Sequence, residues 1–212
     1  MNTINKIYEF TQNIKKSDFI CTLIPVNSVE EVNEHLKTLR KKYYDATHNC
    51  YSYVITDSNN NTIVKASDDG EPSQTAGVVI LDVLQKNELT NVLAVVTRYF
   101  GGIKLGTGGL ARAYSDSVKK AISIAGISSH VLSDTVKISV SYSLYSSILN
   151  LIETEKLVKN SEEFLNDGVE VTFTIPTTKT EAIRRKTLDL TCGKSDIKII
   201  KTDYFEYNEN DN

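Results

Sequence analysis

Thr97-Arg98-Tyr99-Phe100-Gly101-Gly102-Ile103-Lys104-Leu105-Gly106-Thr107-Gly108-Gly109-Leu110-Ala111-Arg112 holds five of the ten glycines in this 212-residue chain. A β-branched apolar run, Val92-Leu93-Ala94-Val95-Val96, precedes it, and a helix-like pattern begins near Gly109. Glycine costs backbone entropy, so this density points to positive φ or to close approach of a backbone or ligand. A strand that opens through glycines into a helix also aims unpaired N–H groups and the positive dipole end at one point. That arrangement suits an anion. Arg98, Lys104 and Arg112 add fixed positive charge. The candidate anion- or RNA-binding residues are therefore Arg98, Gly101, Gly102, Lys104, Gly106, Gly108, Gly109 and Arg112. The same glycines equally suit a helix packed tightly on its strand.

Outward from this stretch, the first 134 residues read as β-α-β-β-α-β-α. Phe19–Ile24 is rich in strand formers and is ended by Pro25. Ser28 stands three residues before Glu31, a capping box, and Val29, Val32, Leu36, Leu39 and Tyr43 follow at helical spacing. Arg40-Lys41-Lys42 complements the dipole at the end of that helix. Asn49–Thr56 and Thr62–Ala66 flank the turn-forming Asp57-Ser58-Asn59-Asn60-Asn61 as a hairpin. Thr75 is placed to cap a helix over Ala76–Gln85. Val92–Val96 reads as a strand buried on both faces, and the last helix runs from about Leu110 to a stop at Gly126.

From Thr135 the character changes. Val136, Ile138 and Val140 alternate with polar residues, and Leu144, Ile148, Leu151 and Ile152 follow at helical spacing. A weaker strand over Lys156–Phe164 leads to a turn at Asn166-Asp167-Gly168 and a strand with Val169, Val171, Phe173 and Ile175 on one face. A helix over Thr180–Leu190 and a strand over Ile197–Tyr204 complete β-α-β-β-α-β, the ferredoxin-like order. Tyr207–Asn212 is an acidic tail expected to fray. The expected fold is α+β in two domains, 1–134 and 135–212.

Composition narrows the classes. A hydrophobic fraction of 40% supports packed cores, and the net charge of −3 leaves no surface that is basic throughout. Residues 1–134 carry 14 Lys and Arg against 14 Asp and Glu, and residues 135–212 carry 10 against 13. Nucleic-acid contact would have to come from a local patch. Cys21, Cys50 and Cys192 are far apart and lack a C-x-x-C spacing, which speaks against a disulfide framework or zinc site and for a reducing compartment. Met1–Ile14 alternates polar and apolar residues without a leader's hydrophobic region, and the apolar runs are too short to span a bilayer. A cytoplasmic protein without membrane association, metal or cofactor is expected.

A second unusual stretch is Ser67-Asp68-Asp69-Gly70-Glu71-Pro72-Ser73. Its three carboxylates repel one another unless a cation, a helix N-terminus or a proton relieves them. Together with His48, the residues Asp68, Asp69 and Glu71 form a possible polar, acid–base site. A solvated turn explains the same composition. Gly106-x-Gly108-x-x-Ala111 formally fits a dinucleotide fingerprint, yet Tyr99–Leu105 separates it from its strand. No Gly-Lys-Ser/Thr ends a phosphate loop.

These two stretches, with Thr75-Ala76-Gly77, Lys15-Lys16-Ser17 and Asp45-Ala46-Thr47-His48-Asn49-Cys50, closely resemble the IMPACT family in its bacterial, YigZ-like form. The resemblance covers nearly all of residues 15–125. Asp18 stands where a basic residue is expected, and Gln74 where glycine is usual. The resemblance implies an N-terminal domain like the second domain of ribosomal protein S5, equivalent to the fourth domain of elongation factor G. It also implies a C-terminal ferredoxin-like domain similar to that factor's fifth. Both parent folds work on RNA at the ribosome, and eukaryotic relatives regulate translation by competing for the activator of a stress kinase.

Three functions follow as expectations. The first is a non-catalytic binding protein of the translation machinery, meeting RNA or ribosome phosphates at Gly101–Gly109. The second is an enzyme on a small phosphorylated or nucleotide substrate, with Asp68, Asp69 and Glu71 holding a divalent cation. The third is an adaptor for a protein partner of the translation machinery.

Overall fold

The apolar run before the glycines forms β6, Val92–Tyr99. It is the middle strand of an antiparallel sheet ordered β2-β3-β6-β4-β5. The flanking strands are β2 (Tyr8–Ile14), β3 (Ser17–Pro25), β4 (His48–Thr56) and β5 (Thr62–Ser67). Successive strand side chains point to opposite faces. Val92, Ala94 and Val96 therefore enter one core, while Leu93 and Val95 enter another. Burial on both faces, expected from the run, is what the strand shows.

The structure, a computed structural model, describes residues 1–56 and 61–207. The expected 57–61 turn and the tail from 207 fall outside it, Asn61 and Tyr207 apart. The chain divides into two units, Met1–Ser129 and His130–Asn212.

In the first unit, helix α1 (Val29–Lys42) covers one sheet face with Val32, Leu36 and Leu39. Ser28 Oγ accepts from the Glu31 N–H at 3.2 Å. Glu31 Oε2 accepts from the Asn27 N–H at 2.8 Å, one residue earlier than a standard capping box. Helices α2 (Gly77–Lys86) and α3 (Thr107–Ala125) cover the other face. Ile80, Val83 and Leu84 from α2 meet Tyr114, Val118 and Ala121 from α3 in that core. Glycine ends α3 as expected, Gly126 having φ 74°.

Three local expectations are corrected. The second half of the alternating Met1–Ile14 stretch, given no element in the sequence reading, is strand β2, whose even-numbered residues from Tyr8 to Ile14 are half-buried. Helix α3 starts at Thr107, so Gly108 and Gly109 are helical residues rather than loop. The cap of α2 is not Thr75, whose hydroxyl donates to Pro72 O at 2.6 Å. Asp68 takes that role: its Oδ1 accepts from the N–H groups of Ala76 and Gly77 at 3.0 and 2.8 Å.

The second unit takes its core from β7 (Ser128–Val140), α4 (Tyr142–Thr154), β9 (Val169–Pro176) and α5 (Thr180–Leu190). Strands β8 (Val158–Phe164) and β10 (Lys198–Tyr207) complete the sheet, in the order β10-β7-β9-β8. The alternating Val136, Ile138 and Val140, and the Val169–Ile175 set opposite them, all face this core. Asn2 and Thr3 (β1) pair with Ser129 and Ser128, at the end of the first unit. The architecture is mixed α+β with two sheets and five α-helices among the described residues.

Gln74, which stands where the resemblance calls for glycine, has φ 62°. An L side chain there costs about 1–2 kcal/mol, partly offset by the lower entropy of its unfolded chain. Gln74→Gly is expected to stabilise the protein by about 0.5–1 kcal/mol. Thermal unfolding should show a higher Tm for this variant and no gain for Gln74→Ala.

Candidate functional site

Register brings the polar residues together. Arg98 lies directly opposite His48 of β4 on one side and Phe19 of β3 on the other. Glu71, from the acidic loop after β5, is buried against them. Its Oε1 accepts from Arg98 Nη1 at 2.6 Å and from the Tyr114 hydroxyl of α3 at 2.8 Å. Glu71 is 8% exposed and Arg98 5%. The guanidinium carbon sits 5.4 Å from the Phe19 ring centre and 5.5 Å from that of Phe100, so a cation–π contact supports it on both. Arg98 Nε is buried and has no hydrogen-bond partner among the described residues. Burial, with Cys50 and Glu71 alongside, pushes the Tyr114 phenol far above its usual range, so it stays a donor.

The three carboxylates avoid mutual repulsion by taking separate partners. Both oxygens of Asp68 accept backbone N–H groups, Oδ2 from Gln74 at 2.9 Å and Oδ1 from the start of α2. Asp69 Oδ2 accepts from the Asn49 N–H at 2.7 Å, and its Oδ1 faces Arg40 Nη2 at 3.2 Å. Only Glu71 points toward His48, whose Nε2 lies 3.8 Å from Oε2. The other ring nitrogen, Nδ1, donates to the Asp69 carbonyl at 2.9 Å. The acidic loop is thus clamped onto the sheet, and no three His, Cys, Asp or Glu side chains converge for a metal ion among the described residues.

The acidic and glycine loops share one cleft of about 420 Å³. From one come Glu71 and Pro72; from the other, Phe100, Lys104, Leu105 and Gly106. His48 and Arg98 stand in its wall, and Thr107 and Leu110 of α3 complete it. No side chain caps α3, and its first turn carries no acidic residue. The first N–H to find an intrahelical acceptor is that of Leu110, on Gly106 O at 2.9 Å. Of the preceding residues Thr107 lines the cleft, so its amide and the positive dipole end of α3 lie there. Lys104 is exposed and pairs with no carboxylate among the described residues.

A family model, the Impact N-terminal domain, matches residues 15–122, a span that holds every residue of the cleft. The chain is 42% identical over 205 residues to the IMPACT family member YvyE of Bacillus subtilis, covering 96% of this chain and 93% of that protein. The chain belongs to the IMPACT family. IMPACT family member YigZ of Escherichia coli is 40% identical over 111 residues, 52% of this chain and 54% of YigZ. Protein IMPACT of Rattus norvegicus is 38% identical over 95 residues, 43% of this chain and 29% of the rat protein. A crystal structure described only as that of an hypothetical protein covers 94% of this chain and 97% of its own, with TM-score 0.59 at 27% identity.

Within this IMPACT-family chain the sequence-selected residues separate into groups. Arg98, Lys104 and Gly106 line the cleft, with His48 and Glu71. Asp68 and Asp69 hold the loop in place from outside it. Gly101 serves close packing: a Cβ there would lie 1.9 Å from Lys16 O. Gly102 does not line the cleft, Gly108 and Gly109 are in the first turn of α3, and Arg112 is exposed on that helix away from the cleft. Sequence reading missed Thr47, Phe100 and Tyr114. Thr47 ties the end of β6 down, donating its N–H to Arg98 O at 2.9 Å and accepting from the Phe100 N–H at 3.0 Å. Tyr114, four residues after Leu110, was legible only as a core aromatic.

Removing one partner of a buried ion pair leaves the other charge unpaired and costs about 3–5 kcal/mol, whereas apolar replacement of both is often nearly neutral. Glu71→Gln should lose about 3 kcal/mol in denaturant unfolding, and Glu71→Leu with Arg98→Met should regain most of it. The cysteines supply a second check. Burial holds the Cys50 thiol up at about 12, and that of Cys21 higher still, while Cys192 is exposed. At about pH 8, where the thiolate is the reactive form, a thiol reagent should modify Cys192 alone in the native protein and all three cysteines after unfolding.

Proposed function

We propose that this chain is a non-catalytic binding protein of the translation machinery that contacts RNA or the ribosome, regulates translation, and takes an RNA phosphate in the cleft at the start of α3. One observation carries the reading: an uncapped helix N-terminus opens, beside the unpaired Lys104, onto a cleft whose own carboxylate is already neutralised by Arg98. Negative charge at the cleft wall would otherwise repel a phosphate. The amides of α3 supply the donors and Lys104 the mobile cation.

The metal-dependent enzyme is disfavoured because Asp68 and Asp69 spend their oxygens on backbone amides and Arg40. Burial holds the Cys21 and Cys50 thiols protonated, and both nitrogens of His48 face partners within the loop. Residues 1–134 correspond to the S5 second-domain-like, elongation factor G domain IV-like fold, and residues 135–212 to the ferredoxin-like fold. The β-α-β-β-α-β order and the β10-β7-β9-β8 sheet support the latter. A cytoplasmic setting accords with three free cysteines. No helix among the described residues is long and apolar enough to cross a membrane.

Phosphate contacts make affinity depend on salt but not on base sequence. RNA binding measured by fluorescence anisotropy should weaken steeply between about 50 and 200 mM salt. Lys104→Ala should lower affinity equally across unrelated RNA sequences and reduce the log–log salt slope by about 1. Equal affinity at both salts would overturn the reading.

A further inference from the structure

The turn that joins β2 to β3 is two residues long, with Ile14 paired to Ser17. Its residues are Lys15 at φ 48° and Lys16 at φ 66°, both left-handed. Two-residue hairpin turns with two positive φ values favour Asn-Gly. Here two lysines occupy them, residues that this turn geometry does not itself favour. Both lysines are exposed, and no carboxylate pairs with either among the described residues. Of the two carboxylates in this hairpin, Asp18 accepts from Asn13 Nδ2 at 2.8 Å and Glu9 pairs with Lys42.

This turn is fixed to the glycine loop. The Lys16 carbonyl lies where a Gly101 side chain would begin, and the Gly101 N–H donates to Ser17 Oγ at 3.2 Å. Phe100, the residue before that contact, lines the cleft and is 46% exposed. Lys104, three residues after it, lines the cleft too. The lysine turn is thus held by its backbone against Gly101, the neighbour of the exposed Phe100 ring, on the same loop that carries Lys104 to the start of α3. The cleft's volume of about 420 Å³ is on the scale of one small ligand rather than a duplex.

We propose that the Lys15–Lys16 turn is a second phosphate-binding point, so that the protein takes single-stranded RNA with one nucleotide in the cleft and the adjoining phosphate on the two lysines. The inference rests on the cleft being a phosphate site. The nucleotide in the cleft sets its phosphate against the amides of α3 and Lys104, and its base stacks on Phe100. Aromatic stacking tolerates any base, because every base has a π-face. The lysines then choose the direction in which the strand leaves the cleft.

The test uses the full chain and a variant that suits the turn better than the native residues do, Lys15→Asn/Lys16→Gly. Uridine monophosphate is titrated by calorimetry, and a short 5′-phosphorylated oligouridylate by anisotropy at several salt concentrations. Tm reports the fold. The variant is expected to keep or raise Tm and to bind the mononucleotide as before. It should lose about tenfold in oligonucleotide affinity at low salt, with a log–log salt slope smaller by about 0.7–1.4, since each single-strand phosphate contact contributes about 0.7. An unchanged oligonucleotide affinity in a variant that still binds the mononucleotide overturns the role of the lysines and leaves the cleft reading intact. Duplex RNA binding as tightly as the single strand also overturns it. If neither uridine monophosphate nor the oligonucleotide binds the native chain, the cleft reading itself fails, and this inference with it.

Discussion

A carboxylate with almost no access to water, Glu71, is the point on which the first unit turns. Such a group is tolerable only when its charge is met by opposite charge and its lone pairs by donors. Arg98 meets the charge from the central strand, and Tyr114 supplies a hydroxyl from the long helix. One side chain thereby joins three parts of the chain that are distant in sequence. The acidic loop cannot leave the sheet without exposing Arg98, and α3 cannot shift along the sheet without stranding the Tyr114 hydroxyl. The cleft inherits part of its shape from that constraint, since all three segments contribute to its walls.

The same interaction sets the electrostatics. A loop with three carboxylates within four residues would ordinarily make its surroundings negative, yet each acid is spent locally. Asp68 answers a helix start, Asp69 an amide and Arg40, Glu71 a guanidinium. What remains at the cleft is the start of α3 and Lys104. A chain with net charge −3 can thus keep a small region favourable to anions without a basic surface overall.

Much of this was legible in the residues, and the parts that were not share a cause. Periodicity found every helix of the first unit and the two-sided burial of β6, because 3.6- and 2-residue repeats are local properties. It also runs through β2 as Tyr8, Phe10 and Ile14, but the polar Gln12 on the same half-buried face breaks the apolar alternation. The clustering of charge and glycine marked the two stretches that meet in the cleft. Nothing local said that they meet, because His48, Glu71 and Arg98 are brought together by strand register. Nor could composition tell Arg98, neutralised in the wall, from Lys104, free at the rim. Gly101 and Gly106 look alike in sequence, yet one yields to the Lys16 carbonyl while the other turns the chain into a helix at φ 73°.

The capping of α2 by Asp68 has a consequence for how the unit assembles. A helix with its own capping residue can begin to form alone, as α1 can with Ser28 and Glu31. The start of α2 depends instead on an oxygen eight and nine residues upstream, delivered by the far end of the β4–β5 hairpin. Its first turn carries no acid of its own, and its amides stay unanswered until that hairpin is in register. Nucleating a helix is costly without such help. The capping of α2 is thereby tied to strand pairing, so this helix gains its full stability only with the β4–β5 hairpin in place.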